Sequence, residues 1–492
     1  MSESKPHQKT TDSETTDLSD AHYRLLSNTF EHLSKNIQIE IQQNLLQERE
    51  ARLSRYNQNL LMALPKHLLV KAGRKFKRLL IDIDVNQRFQ VYDSKAKQNF
   101  IYTTRSEVIL NAFTISHANI SLNKLEVSMK LDYGRTLNGT AFDLWLNPAL
   151  WEKLNFRLLL IKNLMFEKKN LQVKLSYNNG KDHLCMAHLE NIEYTLAPND
   201  NMRLMLVSPE FQLGFKVVLD QIPVVDDSLY IVGMTCLFEM TLPNQEQFLE
   251  LLQYKDRLFE SNIIPLFNLY EGYSSTQRLD DKYDQIPLLN AEDPDAKPCY
   301  VKQIWVNNRL YKKYYHHIQS EYVFHKHTGK LSFYPKNLKQ EIQKNKKIFA
   351  NITWMQSSQH GRLLKITSNA IAISDGHFEL ITVKPEVKIN DFQSTDQAIQ
   401  IFRAFSDLDI RKQYGFLTAL GFLCSEEHKH VYQQFKNEVS KISYDELCNS
   451  LKIIVKNQSH TAFVTYVADV VAQFFYINSP QVIAIKTIVE TH

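Results

Sequence analysis

Histidine pairs are the first places in this chain where residue type and spacing could do chemistry. His325 and His327 stand two apart in a stretch that reads as a strand, so they share a face and could ligate one metal ion. His316-His317 and His428-x-His430 are further pairs, and His183, Cys185 and His188 form a looser cluster. No Asp, Glu or Cys stands near His325 and His327 to complete a ligand set, and surface or packing histidines are the better reading. The looser cluster is weighed the same way. Catalytic dyads converge only in space, and nothing positive in the sequence supports one. The phosphate-cradling GxxxxGK[ST] and GxGxxG patterns, the GxSxG nucleophile turn and the HExxH zinc helix are all absent. Glycine numbers only 12 in 492 residues. Phosphate loops and strained catalytic turns need residues that tolerate positive φ, so this scarcity argues against a nucleotide enzyme. No catalytic residue, metal ligand or cofactor is expected.

Charge is the feature that rises above background. Residues 301–350 hold eleven Lys and Arg against two acids, +9 in all, whereas the whole chain is only +4, so the remainder nets −5. Aromatics such as Trp305, Tyr311, Tyr314, Tyr315, Tyr322, Phe324, Phe333 and Tyr334 are interleaved. Lys302, Arg309, Lys312 and Lys313 are read as a face that docks an acidic protein partner. The alternatives are a solvated face, or nucleic-acid binding with rings stacking on bases.

The elements around these residues read as helical ends flanking a β-rich middle. Residues 1–20 are polar and expected to be disordered. Tyr23, Leu26, Phe30, Leu33 and Ile37 open a stripe at three- and four-residue spacing that predicts one long helix over 21–65, with a seam shared with another chain. Strand-like alternation fills 66–262, including RFQVY, NFIYTT, SEVILNAF, KLEVSMKLDY and LQVKLSYNN, with helices expected at 147–166 and 244–260. A mixed α/β domain is expected over 263–390 and a helical domain over 391–492. The class is α+β, elongated and multidomain, with a long N-terminal helix, β-rich middle domains and a helical C-terminal region. The five cysteines (Cys185, Cys236, Cys299, Cys424, Cys448) include no CxxC pair, and reduced thiols are expected. No secretory h-region and no run of 18 apolar residues appears, so a soluble chain is expected.

Within SNIIPLFNLYEG, Pro265 belongs at a strand start, edge or turn, because it fixes φ and lacks an N–H. Phe267, Leu269 and Tyr270 make an apolar run broken by one amide, Asn268, just before Glu271. Such an isolated amide is expected to be buried and hydrogen-bonded at a structural junction.

Four stretches resemble the TssF family of type VI secretion baseplate proteins, in the family's order. FIYTTRSEVILNAFTISHANI places Val108, Leu110, Ile115 and Ala118 at the family's Thr, Val-x-Leu, Ile-x-x-Ala positions. FDLWLNPALWEKL is similar to the strand that ends in Leu-Asn-Gly before a helix, without the glycine. Pro265, Asn268, Leu269 and Glu271 match the Cys-Thr-Pro-Val-Val-Asn-Leu-Phe-Glu block, with Tyr270 for the Phe and Ile263 and Ile264 for the Cys and Thr. TYVADVVAQFFYINSPQV is similar to the C-terminal helix and its Asn-Ser-Phe end, with Pro480 in place of the Phe. The chain looks shortened in its middle, as in the IglH-like branch of pathogenicity-island systems. The resemblance implies an architectural protein without catalysis or cofactor. Its implied partners are a TssG-like wedge subunit, a second copy of itself, TssK-like and TssE-like baseplate subunits and a VgrG-like spike. The implied place is the cytoplasm, at the inner face of the bacterial inner membrane.

Overall fold

The computed structural model describes residues 63–73, 80–93, 97–121, 123–135, 139–148, 171–221, 228–239, 249, 252–278, 285–313, 322–325, 329–333, 347–356, 363–367, 378–384, 387–388, 412–424, 429–445, 447–478 and 486–491, with Ser34, Ile37 and Gln38. Two compact units divide the chain at Arg55 and Tyr56. In the first, Ser34, Ile37 and Gln38 are helical, and Ile37 is 53% exposed. At the far end of the helix expected over 21–65, Ala63–Leu64 is instead a short strand paired with Val387–Lys388. The rest of it, with Tyr23, Leu26, Phe30 and Leu33, lies outside the described residues, as does most of the helix expected at 147–166.

The second unit is built mostly of antiparallel β-structure, which corrects the α+β expectation of helical ends around a β middle. Its largest sheet has eight strands in the order Phe259–Glu260, Ala141–Leu146, Gly214–Leu219, Asp182–Asn191, Leu171–Tyr177, Ile231–Glu239, Lys124–Arg135 and Phe113–Ile120. Strict alternation explains it: Leu171–Tyr177 buries every second residue, because successive side chains point to opposite faces. In register, Val173 lies between Cys185 and Cys236, and all three are buried in the main apolar core. Burial of a valine such as Val173 contributes about 1.5–3 kcal/mol. Trp145 and Gly214 face each other across two strands. A Cβ on Gly214 would lie 2.4 Å from the Trp145 ring, so only glycine admits the indole there.

Beside it stands a six-stranded sheet in the order Leu363–Thr367, Arg88–Asp93, Gln98–Thr104, Ile263–Phe267, His67–Ala72 and Phe378–Lys384. A further sheet pairs Tyr270–Tyr273, Lys347–Met355, Lys297–Val306 and Arg309–Lys313 in that order, with Gln277–Arg278 also on Lys347–Met355. The strands expected at RFQVY, NFIYTT, KLEVSMKLDY and LQVKLSYNN are all present. The stretch read as a helix at 244–260 closes instead with a 3₁₀ turn, Lys255–Arg257, and the strand Phe259–Glu260.

The C-terminal region is a second correction. Helices Gln413–Cys424, Lys429–Glu438 and Thr461–Asn478 pack with a three-stranded sheet of Val439–Asp445, Ser450–Val455 and Lys486–Thr491, the last pair parallel. Ser450–Val455 alternates in burial from Leu451 onward, a period of two over too few residues to be told from a helix by pattern alone. The helix Pro198–Val207 adds Met202 and Leu206 to the same core, and Tyr466 donates to the Met205 carbonyl at 2.8 Å. Among the described residues no helix is long and apolar enough to cross a membrane.

Asparagine takes the place of scarce glycine at left-handed turns. Asn86, Asn262, Asn307, Asn308 and Asn449 all have positive φ, a region that asparagine tolerates better than most L-residues. Asn307 and Asn308 make the two-residue turn between Lys297–Val306 and Arg309–Lys313. Few glycines therefore do not mean few tight turns.

Candidate functional site

The chain passes from the six-stranded sheet into the five-stranded one within two residues, Asn268 and Leu269. Pro265 sits mid-strand, not at the start or edge expected from its sequence. The ladder accommodates it. Ala72 N–H donates to the Asn262 carbonyl and Asn268 N–H to the Lys66 carbonyl, so even-numbered residues bond toward His67–Ala72. Pro265 faces the other neighbour, Gln98–Thr104, whose pairing begins only at Leu266. Its missing donor costs no ladder bond.

Phe267 is fully buried, in ring contact with His67, Tyr194 and Phe211. His67, also fully buried, bonds the Pro65 carbonyl through Nδ1 at 2.8 Å, which leaves Nε2 to accept from Ser208 Oγ at 2.6 Å. This serine–histidine contact is sealed from solvent at both residues, and it ties a strand to the end of the Pro198–Val207 helix rather than offering a nucleophile. Asn268 is 1% exposed, and its Nδ2 donates to the Gln356 carbonyl at 3.0 Å. The Gln356 side chain accepts from Ile101 N–H at 2.7 Å and donates to Asp293 at 2.8 Å. Thr103 Oγ1 donates to the Leu269 carbonyl at 2.6 Å, and Asn290 Nδ2 bonds the buried Tyr270 hydroxyl at 3.0 Å. Asn268 Nδ2, Thr103 Oγ1 and the Tyr270 hydroxyl are thus each joined to another segment, while Asn268 Oδ1 is buried without a hydrogen-bond partner, and these bonds hold several elements in register.

A cavity of about 400 Å³ opens beside this turn, lined by Asn86, Arg105, Thr195, Glu271, Tyr300 and Lys302 among others. Arg105 is 2% exposed. Its Nη1 donates to Asn86 Oδ1 at 2.9 Å and lies 3.7 Å from Glu271 Oε1, while Nε and Nη2 have no hydrogen-bond partner. Burial pulls the Arg105 pKa below its ordinary value, and Glu271 opposes that. Glu271 also pairs with Lys302, and its carbonyl accepts from Arg88 Nη2 at 2.9 Å. Thr195 Oγ1 donates to the Arg105 carbonyl at 3.0 Å. The Tyr300 hydroxyl donates to Asp200, and burial followed by that carboxylate keeps the phenol neutral well above its ordinary range.

Of the basic residues singled out in sequence, Lys302 reaches this cavity. Arg309, Lys312 and Lys313 lie on the edge strand, where Lys312 pairs with Ile304 and Lys313 with Gln303. His183 and His188 are exposed, whereas Cys185 is buried; His188 bonds Asp220 at 2.8 Å. His325 ends a strand, and His327, with the other histidine pairs except His430, lies outside the described residues. Among the described residues no group of three or more His, Cys, Asp or Glu is placed to hold a metal. Arg105, Asn86 and Thr195 went unnoticed in the sequence. A lone arginine closing the apolar strand FIYTT was the one available signal.

No family model and no curated protein sequence matches the chain. Among solved structures, the fold is similar to that of a chain in the TssK–TssF–TssG baseplate subcomplex of the type VI secretion system, determined by cryo-electron microscopy. That similarity has 8% identity and a TM-score of 0.61, over 95% of this chain and 96% of the other. A chain of a second structure, the baseplate complex from the type VI secretion system, is 9% identical with a TM-score of 0.49, over 85% of this chain and 80% of that one. At the first level of likeness the fold is what is shared. The first pairing covers nearly all of both chains.

Proposed function

We propose that this chain is an architectural, non-catalytic subunit of a type VI secretion baseplate, joined to TssG-like and TssK-like subunits in a wedge. The observation that carries this reading is a fold likeness running nearly end to end along both chains, with a chain of a TssK–TssF–TssG subcomplex. The four sequence blocks described above point the same way. The junction supports it too, since its buried hydrogen bonds fix sheets against one another, as a load-carrying part requires. In this reading Tyr23, Leu26, Phe30, Leu33 and Ile37 contact a partner chain, and Lys302, Arg309, Lys312 and Lys313 face an acidic one. Assignment to the IglH-like branch, a second copy in the wedge, contacts with TssE-like and VgrG-like subunits, and a place at the cytoplasmic face of the inner membrane complete the proposal. They rest on the sequence blocks alone. Removal of the coding sequence from its host is expected to abolish sheath assembly, counted as fluorescent sheath foci, with rescue by the intact gene. Foci at normal number would overturn the reading.

A further inference from the structure

Arg105 is the buried cation lining the cavity, and two of its guanidinium nitrogens have no hydrogen-bond partner. Of the charges lining the cavity, Arg105 and Lys302 are positive and Glu271 is negative, so one positive charge is left over. Lys302 lies directly on Glu271, whereas Arg105 is 3.7 Å from the same carboxylate and bonds only Asn86. The excess charge therefore resides on Arg105. Its two orphan donors, Nε and Nη2, form the side-on edge of the guanidinium, which presents two parallel N–H groups to a planar anion with two oxygens. A buried charged donor without a partner is costly, and folded proteins pair such groups. The surroundings hold the arginine in place for this: Asn86 takes a left-handed conformation, φ 67°, with its Oδ1 on Nη1, and Thr195 is bonded to the arginine's own carbonyl.

We propose that the cavity binds a carboxylate on the Nε–Nη2 edge of Arg105, with Lys302 adding attraction at its other wall. A singly charged planar carboxylate matches both the one surplus charge and the flat two-donor edge; a phosphate brings a second charge that nothing here neutralises. Both donor atoms are screened from bulk solvent. Pairing therefore requires the guanidinium to turn toward the cavity that it lines, pivoting on the Asn86 contact. The carboxylate belongs either to a small free acid or to a glutamate or aspartate side chain of another protein, and the chemistry at Arg105 is the same for both.

The test is calorimetric titration of the full chain, separately with sodium acetate, succinate, N-acetyl-glutamate amide and inorganic phosphate. Carboxylates are expected to bind and phosphate to bind more weakly. Arg105→Lys keeps the charge and loses the fork, and is expected to weaken carboxylate binding by about tenfold or more, the loss of one charge-assisted hydrogen bond. Lys302→Gln, at a half-exposed position that leaves the fold intact, is expected to weaken it by a smaller factor and keeps the test decisive if Arg105→Lys does not fold. Tighter binding of succinate than of the capped glutamate marks a free acid as the source; equal or tighter binding of the capped glutamate marks a protein side chain. Absence of binding by every carboxylate, phosphate binding as tightly as carboxylates, or affinities unchanged in both variants would each overturn the proposal.

Discussion

In the eight-stranded sheet, Val173, Leu175, Leu144 and Cys236 are fully buried with apolar neighbours on every side. At the junction beside the cavity, polar Thr103, Thr104, Arg105 and Asn268 are buried to a similar degree, alongside apolar Leu269 and Val301. The first region is held by area removed from water, which is non-directional and spread over many side chains. The second is held by hydrogen bonds with single named partners, which are directional and leave a buried group orphaned when one partner goes. The sheet therefore provides stability, and the junction provides registration between sheets. A subunit of the proposed architectural kind needs both, and the directional part lies where the sheets meet.

The comparison is broken most severely in the apolar sheet. Trp145 is fully buried over Gly214. Trp145→Ala is expected to lose about 3–5 kcal/mol, the range for a deleted core aromatic, read as a fall in the denaturation midpoint at constant slope. A loss below about 1 kcal/mol would show that the sheet tolerates a cavity that this packing forbids.

Asp143 is the polar exception inside that sheet. It is 1% exposed, with Oδ2 accepting Ile109 N–H at 2.7 Å and Oδ1 without a partner. Burial raises its pKa to about 7, against the pull of the Ile109 hydrogen bond and of Lys216. The folded state holds this proton more tightly than the unfolded chain, so the contribution is fully present below about pH 4 and is lost as pH rises through about 7. Asp143→Asn keeps the acceptor and removes the titration. It is expected to gain on the order of 2–4 kcal/mol relative to the parent between pH 5 and pH 8, seen as diverging melting temperatures. Parallel pH profiles of the two proteins would contradict this.

The junction gives the smallest effect on stability and the most local one. Asn268→Ala is expected to cost about 1–3 kcal/mol by orphaning the Gln356 carbonyl. Because Gln356 also holds Ile101 and Asp293, hydrogen exchange should quicken in Gln98–Thr104 and Lys347–Met355 together and not in Leu171–Tyr177. Uniform quickening across the three strands would erase the distinction between the two regions.

Much of the β-structure was legible because its alternation is local: Leu171–Tyr177 and Arg88–Asp93 each display a period of two within six or seven residues. The helix Thr461–Asn478 was expected within the helical region over 391–492 and through the likeness of TYVADVVAQFFYINSPQV to a family helix. The C-terminal strands were not, since short apolar runs such as SLKIIV satisfy helix and strand patterns alike until a neighbour pairs with them. Asn268 could be singled out because one amide interrupts an apolar run, and Pro265 was misplaced because its tolerance depends on where a neighbouring strand stops. The cavity was invisible for a different reason. Arg105 meets Asn86 from 19 residues away and Thr195 from 90, distances at which spacing carries no signal.

The central claim is that this chain is an architectural subunit of a type VI baseplate, and its most direct measurement is the mass of what it forms with its neighbours. Co-expressed with the TssG-like and TssK-like chains of its own system and purified through a tag on one of them, it is expected to co-elute at fixed stoichiometry as one species by light scattering. Imaged by cryo-electron microscopy, the two-sheet junction at 263–273 should appear intact within that particle. A monodisperse chain that stays alone in the presence of folded TssG-like and TssK-like partners would contradict the account.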